Sequence, residues 1–189
     1  VTTVRPFTIL LPLLCAAVHA VAPQEQLPVR EALQTHLLCR FFNGTGGAAA
    51  WHNSDGWAEG CGGSSSPPPC DGPWYGLTCD GQTVREMDLR QNGLEGELTQ
   101  EMQNALASLV RSDTVHVDFS ENEGISGTLP ESWGTLEQLQ YLSFESCNMS
   151  GTLPDAWSSM TGMQQLDLSS NPLVSGTLPD AWSSMTRMQ

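Results

Sequence analysis

The sequence predicts an α/β solenoid in which short parallel strands stack on a concave side, behind a helical, disulfide-bonded N-terminal cap. Three observations predict it: a twelve-residue phrase that occurs twice, an apolar spacing that recurs in four consecutive segments, and cysteines that cluster ahead of the first segment. Self-similarity at a fixed period of roughly 20 to 50 residues is typical of stacked repeat architectures. The convex side has no strand pattern, so we expect it to be mostly irregular.

The repeat has a variable part and a nearly constant part. Residues 150–161 read SGTLPDAWSSMT, residues 175–186 repeat them 25 positions later, and residues 126–135 are a looser copy. The residues that lead into each copy, up to its Gly-Thr-Leu, follow the spacing LxxLxLxxNxLxGxL, and the same spacing occurs once more from Val84. This is the spacing of a leucine-rich repeat. Side chains alternate along a strand, so the aliphatic residues of its xLxL portion point inward. We expect parallel strands at 84–89, 114–119, 139–144 and 163–168.

The ninth position of each turn predicts a buried polar ladder. An inward-facing Asn must hydrogen-bond backbone groups of adjacent turns, because a buried polar group without a partner costs free energy. Cys147 replaces this Asn in the third turn, which makes it the natural unpaired thiol. A reactive cysteine is the alternative, although no base stands beside it in the sequence. The expected internal row is Asn92, Asn122, Cys147 and Asn171.

The convex side contains a recurring tryptophan and one predicted helix. Trp133, Trp157 and Trp182 each stand three residues after a Leu-Pro proline. We predict a packing ladder, with a ligand-stacking stripe as the alternative. The first turn is longer than the others, and its extra residues, 100–110, carry Met102, Leu106 and Leu109 at helical spacing. This pattern predicts a short amphipathic helix.

The chain divides into three predicted regions. Residues 1–20 have the layout of a secretory signal peptide: Arg5, an apolar run too short to span a bilayer, and small residues up to Ala20. Residues 21–83 are the predicted cap, and residues 84–189 form about four turns. No later segment is long and apolar enough to cross a membrane. We therefore expect an extracellular protein of the secretory pathway, displayed at the cell surface.

The cap is expected to consist of one helix and two disulfides. The helix is predicted from Pro28 to Gly44, with Val29, Leu33, Leu37 and Phe41 on its apolar face. Five cysteines remain after removal of the signal peptide, so two bridges and one thiol are the simplest arrangement in an oxidising compartment. Zinc is the alternative, disfavoured because no C-x-x-C pair occurs; its ligands would be Cys61, Cys70, Cys79 and His52. The expected bridges are Cys70–Cys79 and Cys39–Cys61.

The motifs resemble two groups of leucine-rich-repeat proteins. The segment from Cys70 to Cys79, with Trp74 and Gly76, looks like the N-terminal cap of plant-type leucine-rich-repeat ectodomains. The phrase SGTLPDAWSSMT resembles the promastigote surface antigen family of trypanosomatid parasites such as Leishmania. The second resemblance implies surface display through a C-terminal lipid anchor, and ligands of host or vector origin.

The end of the chain departs from that family pattern. The repeat register places Met188 and Gln189 at the start of a fifth strand, and no stalk or anchor signal follows. We expect an incomplete chain, attached to a membrane only through a C-terminal anchor that these residues do not contain. We also expect a monomer whose last turn leaves Trp182 and Met185 poorly covered.

Composition and missing motifs exclude several functions. The formal net charge is −14 and the chain contains no Lys, so nucleic acid is a poor candidate partner. A Walker-type phosphate loop is excluded, and no nucleophile elbow, H-E-x-x-H or Rossmann glycine pattern occurs. We therefore expect no enzymatic activity, cofactor or metal. Two sequons, at Asn43 and Asn148, predict N-glycosylation.

The outward strand positions are the candidate binding surface. Carboxylates dominate there, which favours a protein or glycan ligand and, among proteins, a basic surface; a merely solvated acidic face is the alternative. The alternative function is the ectodomain of a plant-type receptor whose transmembrane and kinase parts lie outside this chain. The candidate ligand-binding residues are Glu86, Asp88, His116, Asp118, Glu121, Tyr141, Glu145 and Asp167.

Overall fold

The chain folds as a leucine-rich-repeat solenoid behind a helical cap. The computed structural model describes residues 23–62, 68–109 and 114–189, with the side chains of the first helix described from Ala32 onward. The predicted signal peptide therefore lies outside the described residues. No helix in the described ranges is long and apolar enough to cross a bilayer.

The concave sheet confirms the predicted strands. Its order is β1-β2-β4-β6-β8, and every neighbouring pair except β1 and β2 is parallel. The antiparallel β1 was not predicted; it closes the first edge of the sheet. Gly76, at φ +75°, makes the turn into β1, where an added Cβ would lie 2.1 Å from the carbonyl oxygen of Asp88. The strands are β1 Leu77–Asp80, β2 Thr83–Asp88, β4 His116–Asp118, β6 Tyr141–Ser143 and β8 Gln165–Asp167.

Part of the side that the sequence predicts to be irregular forms a second parallel sheet. Its order is β3-β5-β7-β9, and β5 and β7 contain the Ser-Gly-Thr part of the repeat. Ile125 and Met149 point inward and are fully buried, whereas Thr128 and Thr152 are exposed on the outer face. Below, "second sheet" means these four strands: β3 Glu95–Glu97, β5 Gly124–Thr128, β7 Asn148–Thr152 and β9 Leu173–Ser175.

The convex side consists of α4 (Gln100–Leu109) and three 3-10 helices, Glu131–Thr135, Asp155–Ser159 and Asp180–Ser184. The predicted convex helix is confirmed, although Val110 and the Leu109 side chain lie outside the described residues. The three repeat tryptophans are buried, and each indole N–H donates to a carbonyl oxygen of the preceding turn. Trp157 and Trp182 also stack at a centroid distance of 6.0 Å. The tryptophans therefore form the predicted packing ladder.

The cap contains α1 (Pro23–Gly44), α2 (Gly47–Ala50) and α3 (Trp57–Gly62), held together by aromatic side chains. Phe41 packs on Trp51 and Trp57, and also on Phe119 of the second turn at a centroid distance of 5.5 Å. The cap and the repeats therefore share one continuous core. The disulfides are Cys39–Cys61 and Cys70–Cys79, so the thiols of the alternative zinc site are bridged.

The first helix differs from its prediction in its start and its buried face. Its described part, Pro23–Gly44, already includes five residues ahead of the predicted start at Pro28, and it ends, as predicted, at Gly44. The i+4 pattern placed Leu33 on the apolar face, but Leu33 is 55% exposed. The buried side chains are Gln34, Leu38, Phe41 and Phe42, so the prediction is confirmed for Phe41, and the Val29 side chain lies outside the described residues. The aromatic contacts that the cap makes with this helix involve Phe41 and Phe42, near its end.

The ladder residues are buried and connect successive turns. The Asn122 amide oxygen accepts backbone N–H groups of Asn92 and Leu94, and its amide nitrogen donates to the carbonyl oxygen of Leu89. Asn92 extends the ladder into the cap by exchanging two hydrogen bonds with the backbone of Asn53. Cys147 is the free cysteine of the described residues, and it is buried in the ladder.

The last turn is better covered than predicted. Trp182 and Met185 are each only 5% exposed, because the preceding turn covers them, so the expectation of poor coverage is wrong. The exposed apolar side chains of this turn are Leu173, at 57%, and Leu178, at 66%. The Gln189 backbone N–H donates to the Gln164 carbonyl oxygen at 3.0 Å, in the sheet register that the repeat predicts.

Candidate functional site

The concave sheet aligns the candidate residues in two rows. Strand register places Glu86, His116, Tyr141 and Gln165 side by side in one row. The second row, two residues further along each strand, contains Asp88, Asp118, Ser143 and Asp167. Adjacent strands lie about 4.8 Å apart, so each row is regularly spaced.

The carboxylates of the second row have a structural role that the sequence analysis did not anticipate. One oxygen of each aspartate accepts the backbone N–H two residues later: Arg90 for Asp88, Ser120 for Asp118 and Ser169 for Asp167. Ser143 does the same for Glu145 through its hydroxyl oxygen. Such local side-chain-to-backbone bonds stabilise turns. The recurrence of this position therefore has a structural cause.

Asp118 is the most enclosed of these carboxylates. It is only 5% exposed, and its second oxygen lies 3.5 Å from the Tyr141 hydroxyl, which leans over it from the next strand. The Tyr141 ring also stacks on His116, with centroids 4.3 Å apart and planes 7° from parallel. Burial, followed by the charge of Asp118, raises the pKa of Tyr141, so the hydroxyl stays protonated and able to donate. Asp118, Tyr141 and His116 thus form one contiguous centre.

Glu121 lies after its strand, at the edge of the sheet. It forms an ion pair with Arg90 of the preceding turn. The hydrogen bond that the Arg90 guanidinium donates to Glu121, followed by the charge of that carboxylate, raises the pKa of Arg90. Glu121 adopts φ +57°, and Gln91, Ser146 and Ser170 share this left-handed conformation at the same place in their turns. Glu145 also follows its strand, and its carbonyl oxygen accepts the Glu121 backbone N–H.

A groove of about 700 Å³ lies beside this edge, between the cap and the first three turns. Its lining combines His52 and Gln91 with the acidic side chains of Glu95, Glu121 and Glu123. The Nδ1 atom of His52 lies 3.1 Å from the Gln91 carbonyl oxygen, which fixes the ring against the first turn. The groove was not predictable from the sequence, because it depends on how the cap docks, for which the sequence contains no signal.

Within residues 23–62, 68–109 and 114–189, no group of three or more His, Cys, Asp or Glu side chains is placed to hold a metal. Burial raises the pKa of Cys147 to about 11, so its thiol is protonated at neutral pH. A protonated, buried thiol is a poor nucleophile. The outward positions of the concave strands carry carboxylates and the His116–Tyr141 pair.

Sequence and structure comparisons identify the same architecture. Residues 138–160 and 162–185 match the family model described as Leucine Rich Repeat. No curated protein sequence matches the chain significantly.

Solved structures with the same fold include three plant proteins. The leucine-rich-repeat ectodomain of the receptor kinase GASSHO1/SCHENGEN3 from Arabidopsis thaliana, in complex with CASPARIAN STRIP INTEGRITY FACTOR 2, aligns over 82% of this chain at 22% identity and a TM-score of 0.63. The ectodomain of SOBIR1 from the same plant aligns over 83% at 19% identity and 0.61. A plant ice-binding protein aligns over 80% at 20% identity and 0.64.

The similarity at these identities concerns the fold alone. This chain spans 17% of the GASSHO1/SCHENGEN3 chain, 76% of the SOBIR1 chain and 44% of the ice-binding protein. The neighbours include both receptor ectodomains and an ice-binding protein, so the fold does not name the ligand. The ligand has to be inferred from the surface that this chain presents.

Proposed function

We propose that this chain is a non-catalytic extracellular recognition scaffold that binds a protein or glycan ligand on its concave sheet, with a basic protein surface favoured. The observation that carries the proposal is the row formed by Asp88, Asp118 and Asp167 across the strands. Each aspartate uses one oxygen within its own turn, which holds the side chain in place. Asp88 and Asp167 therefore present negative charge at fixed positions on a rigid surface, and the enclosed Asp118 adds its charge from beneath Tyr141.

A fixed row of charge suits a basic partner for a physical reason. Complementary charge raises the rate of encounter more than it raises the final affinity, and salt screens it over about 8 to 10 Å. The His116–Tyr141 pair adds an amphipathic contact next to the row. A repeat solenoid offers partners this kind of extended concave surface.

Two biological settings are compatible with such a scaffold. The phrase SGTLPDAWSSMT favours a surface molecule of the trypanosomatid type, with a ligand of host or vector origin. The fold shared with the GASSHO1/SCHENGEN3 and SOBIR1 ectodomains favours the alternative, the ectodomain of a plant-type receptor. The complete gene sequence separates them: a Thr/Ser/Pro-rich stalk with a lipid-anchor signal in the first case, a spanning helix with a kinase in the second.

The decisive variant combines Asp88→Asn, Asp118→Asn and Asp167→Asn. Asparagine keeps an oxygen that accepts the backbone N–H two residues on, so the turns persist while three negative charges disappear. A ligand isolated by cross-linking and pull-down from the target surface is then titrated against both proteins. We expect the dissociation constant to rise at least tenfold, which is about 1.4 kcal/mol.

A matched control separates position from total charge. Glu131→Gln, Asp155→Asn and Asp180→Asn remove three exposed carboxylates from the convex 3-10 helices, so the net charge changes equally. Binding of this control is expected to equal that of the unmodified protein. Equal weakening in both variants, or weakening in neither, contradicts binding at the concave row.

A further inference from the structure

The second sheet leaves one broad face in contact with solvent. Strand alternation points Ile125 and Met149 into the core. The outward side chains are therefore Ser126 and Thr128 on β5 and Asn148, Ser150 and Thr152 on β7. All three residues of β3 are exposed, as is Leu173 at the start of β9. A parallel sheet usually has both faces covered by other elements. The outer face of the second sheet differs from this usual arrangement, because no other described element covers it.

Both sequons of the chain lie beside this face. Asn148 is the first residue of β7; it is exposed and pairs with Ser126 of β5. Asn43 is exposed at the end of α1, two residues before Thr45, whose carbonyl oxygen accepts the N–H of Glu95 in β3. The concave strands contain no sequon.

We propose that Asn148 carries an N-linked glycan which, together with one at Asn43, shields the outer face of the second sheet and leaves the concave sheet as the face open to protein partners. The reaction uses a lipid-linked oligosaccharide diphosphate as donor. The bond from sugar C1 to the diphosphate oxygen breaks, a bond from C1 to Asn148 Nδ2 forms, the amide loses one proton, and the lipid diphosphate leaves.

The surroundings of Asn148 have room for a sugar. Its neighbours on the outer face, Gly124, Ser126 and Ser150, are small, so no bulky side chain blocks the amide. Leu173 pairs with Ser150, which places it diagonally from Asn148, and it is 57% exposed. Diagonal neighbours on a sheet lie about 7 to 8 Å apart, within the reach of a first sugar residue. The glycan thus covers the apolar side chain that this face exposes most.

The structure also fixes when the modification takes place. Met149, the central residue of the sequon, is fully buried, and the Ser150 hydroxyl donates to the Gly127 carbonyl oxygen at 3.0 Å. An enzyme that must grip this tripeptide reaches it only before β7 joins the sheet. The glycan is therefore added to the unfolded segment, and the test requires protein secreted from a eukaryotic cell.

The first experiment measures occupancy. Secreted chain is treated with peptide N-glycosidase, which converts each glycosylated Asn to Asp, and its peptides are analysed by mass spectrometry in heavy-oxygen water. We expect the label at position 148 in most molecules, and none there in the Asn148→Gln variant. An unlabelled Asn148 in secreted, folded protein overturns the proposal.

The second experiment measures shielding, and it exploits the absence of lysine from the chain. Thr128→Lys introduces a single lysine amine on the outer face, one strand from Asn148, and Gln165→Lys introduces one on the concave sheet. Each is reacted with a 5-kDa polymer ester, a probe size chosen to be comparable with a glycan, in backgrounds with and without Asn148→Gln. Labelled peptides distinguish the lysine from the N-terminal amine.

The expected result is specific to the face. Labelling at position 128 should become several-fold faster when Asn148 is changed to Gln, and labelling at position 165 should not change. Equal acceleration at both positions, or at neither, overturns the shielding proposal. Neither experiment involves the concave-sheet ligand, so a failure here is distinct from a failure of the proposed function.

Discussion

The Cys147 thiol lies 3.2 Å from the carbonyl oxygen of Phe119. Cys147 stands at the ladder position of the third turn, which Asn122 occupies in the second. Asn122 accepts two backbone N–H groups through its amide oxygen, and Asn171 accepts that of Met149. A thiol accepts hydrogen bonds only weakly. The third turn is therefore the weak point of the ladder.

Cys147→Asn should stabilise the protein. One restored buried hydrogen bond contributes about 1 kcal/mol to the free energy of unfolding, which corresponds to a rise of about 2 to 4 °C in Tm for a chain of this size. Differential scanning calorimetry measures the shift. Cys147→Ser is the control: its hydroxyl takes the place of the thiol but lacks the longer amide whose oxygen accepts backbone N–H groups of the preceding turn, so it should not stabilise comparably. An unchanged or lower Tm for the Asn variant contradicts the ladder assignment.

The thiol of Cys147 should be unreactive while the protein is folded. Burial raises its pKa from 9.0 to about 11, so between pH 9 and 11 the folded state keeps the proton that the unfolded state loses. The resulting stability is complete below about pH 9 and is lost as the pH rises towards 11. Alkylation by iodoacetamide at pH 8, followed by peptide mapping, should label Cys147 far more slowly in native protein than in denaturant. Equal rates would show that the site is open.

The tryptophan ladder should be a determinant of stability and not of binding. Trp157→Ala should lower the free energy of unfolding by about 3 to 5 kcal/mol, because it leaves a large cavity. Trp157→Phe retains most of the packing but loses the bond from the indole N–H to the Pro130 carbonyl oxygen, so a loss of about 1 to 2 kcal/mol is expected. Denaturant unfolding measures both values. Weaker ligand binding by folded Trp157→Phe would instead support the stacking-stripe alternative.

The repeat was predictable because each turn repeats the same physical constraints. The alternation around Leu142 and Leu166 and the inward Asn at positions 92 and 122 determine the strands and the ladder locally, whatever the rest of the chain does. The bridges followed from the number and spacing of the cysteines, and the structure contains both.

Several features were not predictable, because they depend on contacts between distant segments. The Ser-Gly-Thr segments have low strand propensity, and they become β5 and β7 only because neighbouring turns supply hydrogen-bonding partners. The exposure of Leu33 cannot be read from the helical period, because burial depends on which other segments pack on the helix. Within the candidate site, the ion pair of Arg90 with Glu121 and the leaning of Tyr141 over Asp118 depend on side-chain placement between turns.

The most direct test of the central claim is the association rate constant of the isolated ligand, measured by stopped flow between about 20 and 300 mM salt. Over this range the Debye length falls from roughly 20 Å to roughly 6 Å. With the unmodified protein, the rate should fall at least tenfold over this range. With Asp88→Asn/Asp118→Asn/Asp167→Asn most of that salt dependence should vanish, and with the convex Glu131→Gln/Asp155→Asn/Asp180→Asn control it should persist. A salt dependence that survives the concave substitutions in a folded protein would contradict recognition at the concave sheet.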